Sequence, residues 1–284
     1  MAWRCTGRTN AELISNLASK GIITSPRVRA AMTAVDRAHY LSASPSSPSL
    51  SAAYEDAPQP IGHGATISAP HMHAAAAEAL LPYLHGDARV LDIGSGSGYL
   101  THVLANIVRD GGVGLGEGKE GKEGKESQIP NTQSGGAGAG EAKGGKVFGI
   151  DHIQPLIDLA NGNMSKSADG RAFLAASYLS SPKPTSSPSS SSSVSVSFLL
   201  ADGRQGLPQH GPYDAIHVGA AAASLHPALL EQLKAPGRMF IPVEDEGGYG
   251  DQWIWVVTKD QDGKVKRERG VGVRYVPLTD RPGS

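Results

Sequence analysis

The chain has 284 residues, of which 39% are hydrophobic and 19% charged, and its formal net charge is −1. That balance argues against a protein drawn to nucleic acid or anionic membrane by bulk attraction. A single cysteine, Cys5, leaves no disulfide framework and no cysteine cluster for zinc. No apolar run reaches bilayer-spanning length and Met1-Ala2-Trp3-Arg4 lacks a signal-peptide core, so the expectation is a soluble, monomeric, cytoplasmic protein.

Thr9 and Glu12 form a capping box ahead of Leu13, Ile14 and Leu17, and Ser25-Pro26 places a cap and first-turn proline before Val28, Met32 and Val35. Two short helices are therefore predicted to open the chain. Residues 42–51, with Pro45 and Pro48 among serines, show neither period and read as a loop. From Tyr54 to His73 runs a polar stretch broken by Gly and Pro, feeding an alanine-rich helix over 74–84. Locally Ser68, two residues before Pro70, reads as the N-cap of that helix. His71 and His73 do not suggest a shared metal, because helix residues two apart project about 200° from one another.

Residues 88–93 form a short apolar run that breaks into Gly94, Gly96 and Gly98 and then into Leu100, Val103, Leu104, Ile107 and Val108 at helical spacing. This is strand, tight turn, helix. A dinucleotide fingerprint needs a third glycine where Tyr99 stands, so that pattern fails. Asp92 at the strand end repels a pyrophosphate and suits a ligand bearing an ammonium or sulfonium, such as S-adenosylmethionine. An ordinary βα turn accounts for the same residues.

Residues 111–146 are rich in Gly, Lys and Glu without apolar periodicity, which predicts a disordered insert. The sheet resumes over 147–150 and ends in Asp151, with a helix over 153–160. With residues 111–145 set aside, Asp151 falls about 20 positions beyond Gly94, where a βαβ nucleotide site holds ribose hydroxyls; a helix-capping role fits the same position. A serine- and proline-rich segment, 180–193, is a second exposed insert. Strands are predicted over 194–201, ending in Asp202-Gly203, over 213–219 and over 238–243, with a helix over 225–233 closed by Pro236-Gly237. The tail reads as two strands, 252–258 and 271–278, with no helix between them. The whole is a doubly wound, mainly parallel α/β sheet with an antiparallel edge and N-terminal helices, in one domain over 1–284. Asp92, Asp151 and Asp202, each ending a strand, are expected to gather at one rim.

These residues resemble the protein-L-isoaspartate (D-aspartate) O-methyltransferases. The likeness runs through Met1-Ala2-Trp3, Glu12-Leu13-Ile14, Asp36-Arg37, Tyr40, 65–73, 91–98, 149–152, Asp202-Gly203-Arg204, 213–222 and 275–280, and the run Ala65-Thr66-Ile67-Ser68-Ala69-Pro70-His71-Met72-His73 is its most specific part. The resemblance implies a Rossmann-like fold that binds S-adenosylmethionine and methylates the free α-carboxylate of isoaspartyl residues in damaged proteins, starting repair through a succinimide. It implies Ser68 as the active-site residue, with Ala65, Thr66, Ile67 and His73 around cofactor and substrate. Asp92, Gly94, Ser95, Gly96 and Gly98 would lie near the methionine part, Asp151 and His152 at the ribose, Asp202 and Gly203 at the adenine, and Thr279 on a closing segment. No metal is implied. The rival expectation is an adaptor that keeps the fold and only binds isoaspartyl sites.

Overall fold

The computed structural model describes residues 5–41, 50–111, 144–179, 194–245 and 250–278. Most of the three predicted loops, and Thr279, lie outside the described residues. Of the loop predicted over 42–51, Leu50 already belongs to a 3-10 turn, Leu50–Tyr54. At the far end of the first insert, Lys146 already pairs with Ser195 in the sheet, so that boundary falls one residue earlier than expected.

Both N-terminal helices form, α1 over Asn10–Ser19 and α2 over Pro26–Ala34. Thr9 Oγ1 accepts from the Glu12 amide as the capping box requires, but Glu12 Oε2 reaches the amide of Arg8 in place of that of Thr9. Ser25 caps α2 by accepting from the Arg27 amide. Glu78 ties this corner down, taking bonds from the Thr24 and Ser25 amides and the Thr24 hydroxyl.

A two-stranded hairpin, β1 (Gln59–Gly62) and β2 (Ala65–Ile67), precedes α3 (Pro70–Leu80). The remaining elements are β3 (Arg89–Ile93), α4 (Tyr99–Asp110), β4 (Lys146–Asp151), α5 (Gln154–Met164), α6 (Ala168–Leu179), β5 (Ser195–Leu200), β6 (Tyr213–Val218), α7 (Pro227–Gln232), β7 (Leu233–Glu244), β8 (Gln252–Lys259) and β9 (Val265–Val273). One sheet runs in the order β5-β4-β3-β6-β7-β8-β9, parallel through β7 and antiparallel beyond. The doubly wound sheet with an antiparallel edge is therefore present. The parallel neighbours β3 and β6 are where the strand order reverses, β4 and β5 being added on one side of β3 and β6 and β7 on the other, and a crevice opens beyond the carboxyl ends of such a pair. The central strands are buried on both faces, which is why β3 and β6 read as continuous apolar runs rather than alternating ones.

Four elements depart from expectation. The helix predicted over 74–84 begins four residues earlier, because Pro70 sits comfortably in a first turn that needs no amide there. The helix expected over 225–233 is shorter, and Leu233 already pairs with Tyr213, so Pro236-Gly237 lie inside β7. The last strand is 265–273 rather than 271–278: Asp260 Oδ1 closes a hairpin by accepting from the amides of Asp262 and Lys264. Its charged residues sit on an exposed edge, where no core imposes an apolar face. Helix α6 was not anticipated at all.

Gly111 packs against Leu84 and His85, Gly145 against Gly86, and the Lys146 amide donates to Ala88. Both ends of the first insert thus meet the same short turn. Replacing residues 114–143 by a short glycine-serine link is expected to leave the thermal midpoint nearly unchanged, since each halving of a loop alters closure by only about 0.6 kcal/mol. A large loss of stability in a thermal scan would show that the insert packs on the core.

Candidate functional site

The glycine turn lies at the switch between β3 and β6. Gly94, Gly96 and Gly98 all have positive φ, at 72°, 51° and 84°. The amides of Gly94 and Ser95 both donate to Ile150 O, and that of Gly219, just past β6, to Ile93 O. The turn is thereby folded over the end of β4, with its bare Cα atoms toward the crevice. Gly98 plays a different part. It begins α4, and a Cβ there would stand 3.0 Å from Ala160 Cβ and from Phe198 Cζ, so its requirement is packing.

Three connected hollows occupy this end of the sheet. The first, about 320 Å³, is lined by residues that include Ala65, Thr66, Gly94, Gly96, Asp151, His152 and Gly203, with Val276, Pro277 and Leu278 on one side. A second of about 30 Å³ lies deeper, among Thr66, Ile67, Ser68, His73, Asp92, Ser95, Tyr99 and His217. The third, about 500 Å³, opens outward between Ser68, Ala69, His71 and Met72 and the segment Val271–Val276. All three share Thr66 and Gly219, and Ser68 lines both the deep and the outer hollow. The 276–278 segment is held there by the Ala221 amide donating to Val276 O and the Leu278 amide donating to Ala221 O.

Ser68 is not a helix cap. The cap position belongs to Ala69, whose side chain makes no bond, and Asp56 takes over from outside the helix by accepting from the His71 amide at 3.0 Å. The carbonyl of Ser68 is fixed by the Arg37 guanidinium, whose Nη2 donates at 2.9 Å, while Nη1 stands 3.5 Å from His73 Nδ1. Arg37 is completely buried. Burial pulls its pKa down to about 10, against the favourable influence of Tyr99 and Asp56, so it stays charged at neutral pH. The His73 imidazole is pushed well below its ordinary value, first by burial and then by the Arg37, His217 and His71 groups around it, and is neutral. Burial raises the Tyr275 phenol to about 12, against the lowering influence of the nearby Ser68 side chain.

Asp151 serves the turn directly: Oδ2 accepts from the Gly96 amide and Oδ1 from the Ile153 amide, both at 3.2 Å. Of the two expected alternatives, the bond to Ile153 is the one at the helix start, and Asp151 also lines the first hollow. Burial raises its pKa despite these bonds. Asp92 is buried and already engaged, accepting from Thr101 Oγ1 at 2.6 Å and facing His217 Nδ1 at 2.8 Å. The rim expected of three carboxylates is therefore uneven: Asp151 faces the first hollow, Asp92 lines the deep one, and Asp202 turns to Arg204 at 2.8 Å while its neighbour Gly203 lines the first. Gly98 lines none of the three, and Thr279 is outside the described residues. Among the described residues, no group of three or more His, Cys, Asp or Glu side chains could hold a metal ion, and no helix is long and apolar enough to cross a membrane.

Several site residues had no role assigned from sequence. His71, His217 and Tyr275 line the hollows from different elements, while Arg37 and Asp56 stand behind them, bonded to Ser68 O and to His71. His217 could have been suspected as a histidine inside an apolar strand run. A further buried chain, in which Tyr40 Oη and His102 Nδ1 lie 2.5 Å apart and His102 Nε2 stands 3.0 Å from Asp169 Oδ2, fastens α6 to α4 behind the turn.

The profile of the family described as protein-L-isoaspartate (D-aspartate) O-methyltransferase matches residues 8–132 and 140–283. A protein-L-isoaspartate O-methyltransferase 2 of Arabidopsis thaliana is 39% identical over 269 residues, 95% of this chain and 67% of the relative. The protein-L-isoaspartate O-methyltransferase of Caenorhabditis elegans is 35% identical, with 99% of this chain and 97% of the relative aligned. Among solved structures, a Plasmodium falciparum chain assigned as a protein-L-isoaspartate O-methyltransferase, in complex with S-adenosyl-L-homocysteine, superposes with a TM-score of 0.69. It is 26% identical, and the match covers 96% of this chain and 99% of that one.

Proposed function

The chain belongs to the protein-L-isoaspartate (D-aspartate) O-methyltransferase family, and from that premise we propose how its crevice works. The enzyme transfers a methyl group from S-adenosylmethionine to the free α-carboxylate of isoaspartyl and D-aspartyl residues in damaged proteins, initiating their repair. The adaptor reading is not favoured, since the relatives carry the name of the enzyme. A single cysteine, buried, supports a reducing compartment such as the cytoplasm.

The observation that carries the site assignment is the position of Ser68, where the deep hollow meets the outer one. The residues present fit the cofactor. Ser95 Oγ and Tyr99 Oη are buried without a partner in the deep hollow, as groups awaiting a polar ligand would be. Gly94 and Gly96 leave bare backbone beside them. On this reading Gly94, Ser95, Gly96, Thr66 and His73 surround the methionine part, Asp151 and His152 take the ribose, and Gly203 with Asp202 borders the adenine.

When bound, S-adenosylmethionine supplies a sulfonium methyl as the electrophile. The substrate α-carboxylate, with an unperturbed pKa of about 3.3 to 3.7, is ionised near neutral pH and needs no base. The work left to the chain is alignment and exclusion of water. Ser68, its main chain held by Arg37, offers its hydroxyl to one carboxylate oxygen. His73, neutral and buried, fills the wall without taking a proton.

Labelled methyl is expected to pass to an isoaspartyl peptide and not to its normal aspartyl twin, as a base-labile ester. In Ser68→Ala the single-turnover rate should fall by an amount worth about 1–3 kcal/mol, with cofactor affinity kept. The chemical step should show no pH-dependent rise between pH 6 and 8 that depends on His73. Equal labelling of both peptides would refute the substrate assignment, and a rise lost in His73→Gln would refute the passive role of that residue.

A further inference from the structure

His71 has no part in the reaction as described, yet its side chain in the outer hollow is held by a buried carboxylate. Its Nδ1 lies 2.8 Å from Asp56 Oδ1, and the same oxygen accepts from the His71 amide at 3.0 Å. The Asp56 side chain is fully buried, while that of His71 keeps 26% of its surface open. Two bonds from one residue to one carboxylate oxygen leave the ring little freedom to rotate. A carboxylate can only accept, so in the neutral form of this ring the proton sits on Nδ1 and the lone pair on Nε2, at the edge turned from Asp56. His71 lines the outer hollow together with Ser68, three residues before it at the start of α3.

An isoaspartyl residue carries its reactive carboxylate on the same carbon as its own amide nitrogen. With the carboxylate at Ser68, that N–H must find an acceptor nearby or be left unpaired. In a normal aspartyl residue the carboxylate is one methylene further from the nitrogen.

We propose that His71 is a substrate-positioning residue whose Nε2 accepts the amide N–H of the isoaspartyl residue itself. Ser68 and His71 together then measure the distance between carboxylate and amide. The normal isomer, one carbon longer, satisfies one of them at a time, which gives the enzyme a physical basis for telling the two apart. This inference rests on the function proposed above and on the position of Ser68.

The test uses the full chain and two peptides, an isoaspartyl peptide and its depsipeptide analogue with oxygen in place of the isoaspartyl nitrogen. For the unaltered enzyme the analogue should show a KM about tenfold higher, the cost of one lost hydrogen bond, with kcat changed much less. His71→Leu should raise KM for the amide peptide by a similar factor, leave S-adenosylhomocysteine affinity unchanged, and make the two peptides equivalent. His71→Gln, which keeps an acceptor, should recover part of the difference. Equal KM values for the two peptides with the unaltered enzyme would overturn the proposal, and so would losses that multiply in His71→Leu. Should His71→Leu fold poorly, the comparison on the unaltered enzyme still decides. Absence of methyl transfer to either peptide would instead overturn the underlying function.

Discussion

Replacing Asp151 by Asn is expected to lower the affinity for S-adenosylhomocysteine by an amount worth about 1.5–3 kcal/mol, roughly 10- to 150-fold, the range for hydrogen bonds to a charged group. The carboxylate does two things at once. It faces the first hollow, and its two oxygens hold the amides of Gly96 and Ile153. Asn keeps one acceptor but turns an NH2 toward the other amide, so the proposed ribose contact and the turn geometry weaken together. The pH dependence has a definite sign. Burial holds the native carboxyl above its ordinary pKa of 3.8, so in the ligand-free protein the folded state takes up a proton before the unfolded one. The burial penalty on Asp151 is therefore present at neutral pH and relieved as pH falls through the raised value. Ligand affinity moves oppositely, because hydroxyl donors prefer the ionised form: it is full above that raised pKa and declines below it. Calorimetric titration across the acid range checks both halves. Affinity of the Asn variant within threefold of the unaltered protein would mean that Asp151 holds only the turn.

Gly98→Ala is expected to destabilise the fold by about 2–5 kcal/mol, joining the cost of a left-handed backbone at a side-chain-bearing residue to that of overpacking. For a chain of this size, the thermal midpoint should fall by roughly 10 °C. Gly98 has φ 84°, and the new methyl would stand 3.0 Å from Ala160 Cβ and Phe198 Cζ, with the Ala160 backbone at 3.2 Å. Ala160 is buried inside α5 and cannot give way without moving the helix. The surviving folded fraction should bind S-adenosylhomocysteine almost normally, since Gly98 lines none of the three hollows. A stable Gly98→Ala protein with poor ligand affinity would return this glycine to the binding surface. Gly94 offers the contrast: its nearest would-be contact is Gly219 at 3.6 Å, so there the backbone angle, not space, demands glycine.

Local patterns carried much of the architecture. Apolar runs with a glycine break place β3 and α4, Ser25-Pro26 starts α2, and the strand ending at Asp151 marks the rim, because helix and strand periods and caps act within a few residues. Where a local pattern was the wrong guide, a distant partner had taken over. Ser68 lost the capping role to Asp56, twelve positions away, and of the strand predicted over 271–278 only 271–273 stay in the sheet, while 276–278 bond with Ala221. The edge strand is instead the charged 265–273, whose position depends on a hairpin and not on burial.

The amino-acid sequence by itself determined the sheet-and-helix class, the glycine turn, the likeness of the Ala65–His73 run and hence the cofactor and the reaction. Only the tertiary structure decided which groups surround Ser68. Asp92 meets His217 across 125 residues because β3 and β6 pair in parallel with those two residues in register. Arg37 reaches Ser68 O from 31 residues away, and Tyr275 arrives on a segment after the last strand. Such meetings follow from how elements pack and which strands pair, and no period in the chain encodes them. The state of each group follows from the same source: Arg37 and His73 have ordinary side chains, and it is enclosure by other elements that lowers the pKa of both, leaving one charged and the other neutral.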